Sequence, residues 1–517
     1  MRDLLSDWRF LATMALFTAI VAGLQVYGGA YQAEYDAHAD EAAHFVSALL
    51  VRDYLSQWPP PDPLPWAAQY YIHYPKVGIG QWPPGYYISQ ALWWLVFPIG
   101  RASALWLHLV VAQLGMVCFY LLARRIQPGW PAVVAGVVLL WTRIVQESYE
   151  TLLSDLFALV AALAVLWLLT RLIEEPGTGR LLGVVGALGW ALAIKGTGVA
   201  LLAAPVMALA ATWRGTRLRP LRAVVSFIGL GTFVAAAYLW QYRGSLDTIR
   251  AWAGMSTRIP WRIDLLPDLA GIGCLILAAI GLVAAAQRRQ PATVAAAAML
   301  LSLIGSSYFI RAIREPRHWI AAIPALLLLN LAAYAWLHSR WPRVAPVAAL
   351  LALCTFPFSV YQQQPKGFRE LAGQLRLPAR MLVSSTVGWG EGPWIATVAL
   401  GEVRPSSTIA RATKLMASTS WNGDRYRLLA HTDEDVERML DEASLDIVVL
   451  HNAPESVPNK MPHHILLREY VGRSSTWRIC AQVRTLEAYC RMRPPRFPRK
   501  PLQIDLRSRI GRVVEER

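Results

Sequence analysis

Apolar runs separated by short basic clusters fill residues 1–360 of this chain. A helix needs about 20 predominantly apolar residues to cross the hydrocarbon core of a bilayer, and several of the runs approach that length. The chain of 517 residues is 55% hydrophobic and 16% charged, with a mean hydropathy of +0.35. It is too apolar for a soluble protein of this size, so the pattern predicts a mainly α-helical, multi-pass membrane protein.

The apolar runs also predict a span count and an orientation. We expect about eleven transmembrane helices of roughly 20 residues each. The expected spans are residues 10–27, 102–122, 130–141, 156–172, 181–194, 198–212, 224–240, 269–286, 292–306, 319–337 and 344–360. The basic clusters at Arg124, Arg214, Arg288 and Arg340 then share one side, which the positive-inside rule makes cytoplasmic. This predicts a cytoplasmic N terminus, an external C terminus and a place in the inner (plasma) membrane.

The basic balance of the chain has two interpretations. A net charge of +16 could indicate a nucleic-acid partner. The arginine clusters stand between apolar runs, however, and therefore follow membrane topology. We expect the lipid bilayer, and no nucleic acid, as a partner.

The region after residue 360 has a different, polar composition. Residues 367–386 and 435–452 each show a helix pattern followed by a strand pattern, which predicts a small external α/β domain over residues 361–490. Residues 491–517 form a tail rich in arginine and proline. Cys480 and Cys490 are the two cysteines outside the apolar runs, and they can pair if this region lies outside the cytoplasm.

The first external loop, residues 28–101, holds a charged and aromatic segment at residues 36–87. Asp40 and Glu41 stand at the start of a predicted helix over residues 41–55, and His44 follows one turn later. Residues 86–99 are short for a span and follow two prolines, which predicts an external juxtamembrane helix. Aspartate is a favoured N-cap, so Asp40 is either a helix cap or a functional carboxylate. A second acidic segment at residues 147–155 and several external cations favour the functional interpretation.

Cations at the external face are candidates for an anion site. Lys76 closes the charged loop, although a lysine there can also snorkel to the membrane interface. Lys195 lies near the end of a span, where the following Gly-Thr-Gly allows a break, and an ionisable group at that depth is a functional candidate. Arg314, Arg317 and His318 begin a late span on the side where few cations are expected.

Five motifs, taken in chain order, carry a family resemblance. They are the Asp40-Glu41 pair, WPPGYY at residues 82–87, the acidic segment at 147–155, Lys195, and RHWIAAIP at residues 317–324. This order resembles the C-type membrane glycosyltransferases over residues 1–340, in particular the bacterial protein O-mannosyltransferases and lipid A aminoarabinose transferases. Trp82 stands where the usual His-Pro-Pro motif has histidine, and a histidine and a lysine occur earlier, at His73 and Lys76.

The resemblance implies transfer of a sugar from a polyprenyl-phosphate carrier to an envelope glycan, lipid or protein on the external face. Asp40 is then the general base, and Glu41 and Asp155 are catalytic-site acids that position the acceptor or complete a network. Lys76, Arg314 and Arg317 are the expected phosphate contacts, with at least one of the arginines facing the same cavity as Lys76 and Asp40. The other expected substrate-binding residues are His44, His73, Trp82, Tyr86, Lys195 and His318.

The sequence leaves two alternative functions and the need for a metal ion open. A transporter or flippase of a lipid-linked anion would use similar basic residues, but the polar residues cluster in loops and not in paired broken helices. A glycan ligase or oligosaccharyltransferase shares the predicted topology. The chain has no metal-ligand spacing, so we assign no metal ligand, and a divalent cation stays open as a cofactor.

Overall fold

The computed structural model describes residues 7–78, 82–212, 262–309, 315–387, 390–418, 426–452 and 461–496. Contacts divide the chain into two compact units. The first, here called the helical unit, comprises Met1–Ala30, Trp82–Tyr86 and Leu105–Gln362. The second, the α/β unit, comprises Tyr31–Gln81, Tyr87–Ala104 and Gln363–Arg517. Most of the first external loop therefore belongs to the same unit as the C-terminal region.

The described part of the helical unit consists of helices, most of which are apolar. They are α1 (Trp8–Tyr27), α5 (Arg101–Ile126), α6 (Trp130–Trp141), α7 (Arg143–Glu150), α8 (Asp155–Glu174), α9 (Thr178–Ile194), α10 (Ala203–Thr212), α11 (Leu265–Ala270), α12 (Ile272–Arg288), α13 (Pro291–Phe309), α14 (Ala322–Arg340) and α15 (Val344–Cys354). Two 3₁₀ segments, Gly196–Leu201 and Pro316–Trp319, precede α10 and α14.

Close backbone approach holds parts of this unit together. Helices α12 and α14 bury Leu277, Ala333 and Leu337 in one cluster with two alanines of α15. A side chain at Gly281 of α12 would collide with the backbone of Leu329 in α14, so glycine permits the contact. Small residues thus allow packing between helices whose apolar surfaces gain little from leaving lipid.

The described helices support the membrane class without testing the full span count. Five of them, α1, α5, α8, α13 and α14, are long and apolar enough to cross a bilayer, and five shorter apolar helical segments occur beside them. The expected span at residues 224–240 lies outside the described residues. The chain is a polytopic membrane protein, and about eleven spans stays a prediction.

Two expected spans need correction in their bounds. The span predicted at residues 344–360 is a helix only from Val344 to Cys354. It stops ahead of Pro357, whose ring and missing N–H oppose a continuing helix. The span predicted at 198–212 begins instead as the 3₁₀ turn at Gly196–Leu201.

The α/β unit combines the first loop with the C-terminal region. Its helices in chain order are α2 (Glu41–Leu55), α3 (Pro63–His73), α4 (Gly85–Val96, which starts in the helical unit), α16 (Phe368–Gln374), α17 (Glu391–Gly401), α18 (Ala412–Leu415), α19 (Asp433–Glu442) and α20 (Pro462–Arg473). Helix α2 spans the residues that the sequence predicted.

A five-stranded mixed sheet forms the centre of the C-terminal region, in the order β2-β1-β5-β7-β6. The strands are β1 (Arg380–Ser385), β2 (Thr408–Arg411), β5 (Ile447–His451), β6 (Trp477–Val483) and β7 (Leu486–Arg491), and a separate short ribbon pairs β3 (Ala417–Ser418) with β4 (Arg427–Leu428). Strands β2, β1 and β5 are parallel, whereas β5, β7 and β6 are antiparallel. The predicted C-terminal α/β fold is confirmed.

A disulfide joins Cys480 of β6 to Cys490 of β7, with their Cα atoms 5.7 Å apart. The two strands are antiparallel neighbours, so the bond closes a short hairpin. The predicted pairing of these cysteines is confirmed.

Candidate active site

Asp40 precedes helix α2 but does not cap it with its side chain. Its backbone is helical, with φ −92° and ψ −17°, and the carboxylate makes no capping hydrogen bond. Oδ2 lies 3.7 Å from Nδ1 of His38, and 21% of the Asp40 side chain is exposed. The helix-cap interpretation of Asp40 is therefore wrong, and its carboxylate is within reach of a ligand.

Glu41 is fully buried and paired with a cation that sequence reasoning missed. Its Oε1 accepts from Nη1 of Arg101 at 2.7 Å, and both side chains are almost inaccessible. The Arg101 guanidinium also stacks over Tyr35, 5.6 Å from the ring centroid. A buried carboxylate requires such a partner. The only signal for Arg101 in the sequence was its place just before an expected span.

Asp36 lies in the same charged surroundings. Burial, with a smaller contribution from Glu41, raises the pKa of Asp36 to about 6. Lys366 and Arg101 oppose this shift. The protonation of Asp36 therefore depends on the Glu41–Arg101 pair.

Two of the expected substrate-binding histidines bond to protein groups. His44 Nδ1 lies 2.8 Å from the hydroxyl of Tyr87, and the two rings stack. His73 Nδ1 lies 2.8 Å from the carbonyl oxygen of Ser407, which precedes β2. His44 thus joins two parts of the first loop, and His73 links that loop to the C-terminal region. Contact of either histidine with substrate stays a prediction.

Lys76 lies half-buried between the first turns of helices α2 and α17. Its stem packs so closely on Gly392 that a Cβ there would stand 2.9 Å from Cε of Lys76 and 3.0 Å from Cβ of Ala42. Burial, followed by the charge of Arg411, lowers the pKa of Lys76 to about 8, while Asp40 opposes the shift. Asp40 and Lys76, predicted as base and phosphate contact, are therefore electrostatic neighbours.

A second charged cluster lies in the helical unit, where helix α8 begins. Asp155, the first residue of α8, forms a buried ion pair with Lys195. Nη1 of Arg317 lies 4.0 Å from Asp155 Oδ2, and its Nε donates to Glu315 at 2.6 Å. Asp155, Lys195 and Arg317 were all predicted as site residues, and the structure brings them together.

The chain breaks at Lys195 as its sequence predicted. Helix α9 ends at Ile194, and Lys195 is extended before the 3₁₀ turn Gly196–Leu201. A side chain at Gly198 would collide with the backbone of Ala191, so glycine is required for this turn. The break allows the lysine to pair with Asp155 from another helix.

His318 joins this cluster as a neutral group. Burial, assisted by Lys195 and Arg317, lowers the pKa of His318 to about 3, so its imidazole is uncharged at physiological pH. Its ring nitrogen accepts from the backbone of Glu315 at 3.3 Å and helps to fix the turn that carries Arg317. Arg314 lies outside the described residues, so its role and the expected common cavity stay predictions.

The aromatic motif after Trp82 is partly buried in the helical unit. Tyr86 is almost inaccessible, with its hydroxyl 3.5 Å from Nε2 of His108 and its ring edge-on to Phe157 at 5.1 Å. His108 was missed because it lies inside an expected span. Among the described residues, no group of three or more His, Cys, Asp or Glu side chains is arranged to hold a metal ion.

Solved structures share the fold of the chain. ArnT from Cupriavidus metallidurans in the apo state matches with a TM-score of 0.58 and 13% identity, over 92% of this chain and 97% of that one. The same protein bound to undecaprenyl phosphate gives 0.56 and 14%, over 94% and 99%. Archaeal oligosaccharyltransferase AglB from Archaeoglobus fulgidus, in complex with an inhibitory peptide and a dolichol-phosphate, gives 0.51 and 12%, over 86% and 69%.

These matches show that the chain shares the fold of ArnT and AglB. The family model described as dolichyl-phosphate-mannose-protein mannosyltransferase matches residues 81–240. No curated protein sequence matches the chain. The shared fold and the match over residues 81–240 both support the resemblance to C-type membrane glycosyltransferases found in the sequence.

Proposed function

We propose that this protein transfers a sugar from a polyprenyl-phosphate carrier to an acceptor on the extracytoplasmic face of the membrane, with Asp40 as the general base. The observation that carries the proposal is the position of Asp40. Its carboxylate is accessible, is not engaged as a helix cap and lies in the electrostatic field of Lys76. A base beside a cation is the arrangement that attack on a sugar phosphate requires.

The reaction is a direct displacement at the anomeric carbon. Asp40 takes the proton from an acceptor hydroxyl while the hydroxyl oxygen forms a bond to the anomeric carbon. The bond between that carbon and the phosphate oxygen breaks, and its electron pair stays on the phosphate oxygen. The anomeric configuration inverts, since a single displacement needs no covalent sugar–enzyme intermediate. The carrier leaves as a phosphate monoester, whose added negative charge needs cations.

Lys76 is the described cation that we assign to this phosphate, and the contacts expected from the sequence at Arg314 and Arg317 stay predictions. The ArnT structure bound to undecaprenyl phosphate supports a polyprenyl-phosphate carrier. Glu41 and Asp155 are buried in ion pairs with Arg101 and Lys195. We assign these two acids to the network that holds the site.

The fold does not favour a transporter of a lipid-linked anion. The likeness to AglB makes a glycan ligase the second candidate to test. The two are separated by offering purified protein either a single sugar on polyprenyl phosphate or a preassembled glycan on polyprenyl diphosphate. Transfer of the single sugar supports the proposal, and transfer of the glycan alone contradicts it.

Asp40→Asn tests the catalytic role of Asp40. Asparagine keeps the size of the side chain and most of its hydrogen bonding but removes its basicity, so turnover should fall by roughly 10²–10⁴-fold. Sugar transfer by purified variants, matched for folding by size-exclusion chromatography, is the measurement. Near-wild-type turnover would move the search to Glu41 and Asp155.

Asp62→Asn is the matched control in the same loop. Asp62 does cap a helix, because its carboxylate accepts from the backbone N–H of Leu64 at 3.2 Å. Asparagine caps about as well as aspartate, so this variant should keep full activity.

A further inference from the structure

The parallel strands of the C-terminal sheet end beside the first loop. Strands β1, β2 and β5 end at Ser385, Arg411 and His451, and their parallel pairing places these ends at one edge. Helix α17 begins at Glu391, soon after β1. Open α/β sheets bind ligands at this edge of their parallel strands. The charged groups at this edge of the sheet are therefore candidates for a functional role.

Glu391 is held rigidly at this edge. Its side chain is fully buried and accepts from Nε of Arg411 at 2.7 Å. It also accepts from the backbone N–H of Thr413 at 2.9 Å and from the Thr413 hydroxyl at 2.6 Å. Three donors from the chain around β2 thus fix both carboxylate oxygens, and the carboxylate fixes Arg411 in return.

The residue after Glu391 supports Lys76. Gly392 lies in the first turn of α17, against the outer carbons of the Lys76 side chain and against Ala42 of α2. Any side chain at residue 392 would displace the lysine stem or the helix that follows Asp40. Helix α17 therefore supports both Lys76 and the start of α2.

We propose that the Glu391–Arg411 ion pair of the C-terminal sheet positions Lys76 for the donor phosphate and sets the charge around it. This inference rests on the function proposed above and gives the C-terminal domain a role in binding the donor phosphate. Glu391 and Arg411 are positioning residues, since they act through Lys76. The ligand class is a phosphate ester carried by a lipid.

The charges around Lys76 are nearly balanced. The described groups that act on its ammonium are the cations Arg411 and Lys414 and the carboxylates Asp40 and Glu391. With Lys76 itself they carry one net positive charge when every group is ionised. Removing one member of the ion pair shifts this balance by one unit, in a direction set by the member removed.

The two halves of the ion pair have opposite effects on Lys76. Lys76 binds phosphate best as a cation, so kcat/KM should fall as the pH rises through its pKa of about 8. Glu391→Gln removes a negative neighbour and should shift this alkaline limb to lower pH. Arg411→Gln removes a positive neighbour and should shift it to higher pH, by roughly 0.5 to 1 unit in each case.

The opposite signs separate positioning from mere stability, because both variants break the same ion pair. The measurement is the pH profile of kcat/KM for sugar transfer from a polyprenyl-phosphate donor. Lowered activity without any shift of the limb, or shifts in the same direction, would overturn the proposal. Asp441→Asn is the control, since it breaks another buried ion pair of the same sheet domain, to Arg491 at 2.5 Å, and should leave the limb in place.

A second measurement needs no substrate. The pH dependence of acetylation of Lys76 by acetic anhydride, followed by mass spectrometry of its peptide, reports the lysine pKa directly. Shifts of opposite sign, with no transfer from any donor, would support the electrostatic link and contradict the proposed function. Transfer by the wild type with unshifted labelling in both variants would contradict the positioning role alone.

Gly392→Ala tests the contact between α17 and Lys76. The added methyl should displace the lysine and raise KM for the donor at least tenfold, with a smaller change in kcat. Gly401→Ala is the matched control, because a Cβ at the end of the same helix meets nothing within 4 Å. Equal KM values for the two variants would show that Gly392 is only a packing residue.

Discussion

Buried charges are stabilised in pairs in both units of this protein. A charge taken out of water requires an opposite charge and hydrogen bonds, or its desolvation is not compensated. The described pairs with at least one almost inaccessible member include Glu41–Arg101, Asp155–Lys195, Glu391–Arg411 and Asp441–Arg491. The first three of these pairs contain or adjoin residues that we assign to the reaction. Their side chains are therefore held in place before a substrate arrives.

Lys195→Met should destabilise the helical unit. It leaves the carboxylate of Asp155 buried, with Arg317 at 4.0 Å as its remaining cation. We expect the free energy of unfolding to fall by about 3 kcal/mol. This is the lower end of the range for breaking a buried ion pair, because Arg317 partly compensates the charge of Asp155. Thermal unfolding of the detergent-solubilised protein measures the loss.

The double variant Lys195→Met with Asp155→Asn is the control for this prediction. Removing both charges should restore part of the lost thermal stability, although it should not restore sugar transfer. A double variant less stable than Lys195→Met would show that the ion pair is not the cause.

At the scale of elements, helix α16 begins on a side chain from the first loop. The backbone N–H groups of residues 366–369 all point at the carboxylate of Glu34, with donor–acceptor distances of 2.6–3.2 Å. Gly367 adopts φ +100° there, which a residue with a side chain rarely does. An acidic group at a helix N terminus also suits the helix dipole. Glu34 thus fastens the loop that carries Asp40 to the C-terminal region.

Glu34→Gln should weaken this attachment. The amide keeps one acceptor oxygen but loses the negative charge to which four N–H groups donate. The free energy of unfolding should therefore fall by roughly 1 to 3 kcal/mol. Glu370→Gln, in the first turn of the same helix and exposed, is the matched control. Thermal unfolding compares the two, and equal midpoints would mean that Glu34 contributes nothing beyond a neutral cap.

At the scale of the whole molecule, the disulfide and the basic clusters support one orientation. Disulfides persist in oxidising compartments, and Cys480–Cys490 lies in the domain that we expect outside the cytoplasm. Arg124 and Arg288 lie in the last turns of helices that we expect to end on the cytoplasmic side. Both observations favour a cytoplasmic N terminus and an external catalytic face.

Reporter fusions test this orientation. A reporter fused after Arg125 should be cytoplasmic, and one fused after Tyr361 should be external. The pair samples both ends of the helical unit, so its result depends on the parity of all spans between them. Reporters on the same side would contradict the expected span count.

The sequence alone determined the class of the molecule and most of its local structure. Apolar runs identified the helices, the break after Lys195 followed from Gly-Thr-Gly, and α2 follows the predicted residues 41–55. The C-terminal helix–strand units and the cysteine pair were also predictable. The helices, the break and the helix–strand units depend on residues close in sequence. The disulfide was predictable because Cys480 and Cys490 are the two cysteines outside the apolar runs.

Only the tertiary structure decided which distant residues meet. Arg101 pairs with Glu41 across 60 residues, and Glu34 caps a helix 333 residues away. Gly392 lies against Lys76, and the charges of Glu391 and Arg411 act on its ammonium, although nothing local marks these residues as part of its site. A buried charge requires a partner, but any of many cations along the chain can satisfy it. The path of the backbone selects the partner, and local sequence patterns do not contain that path.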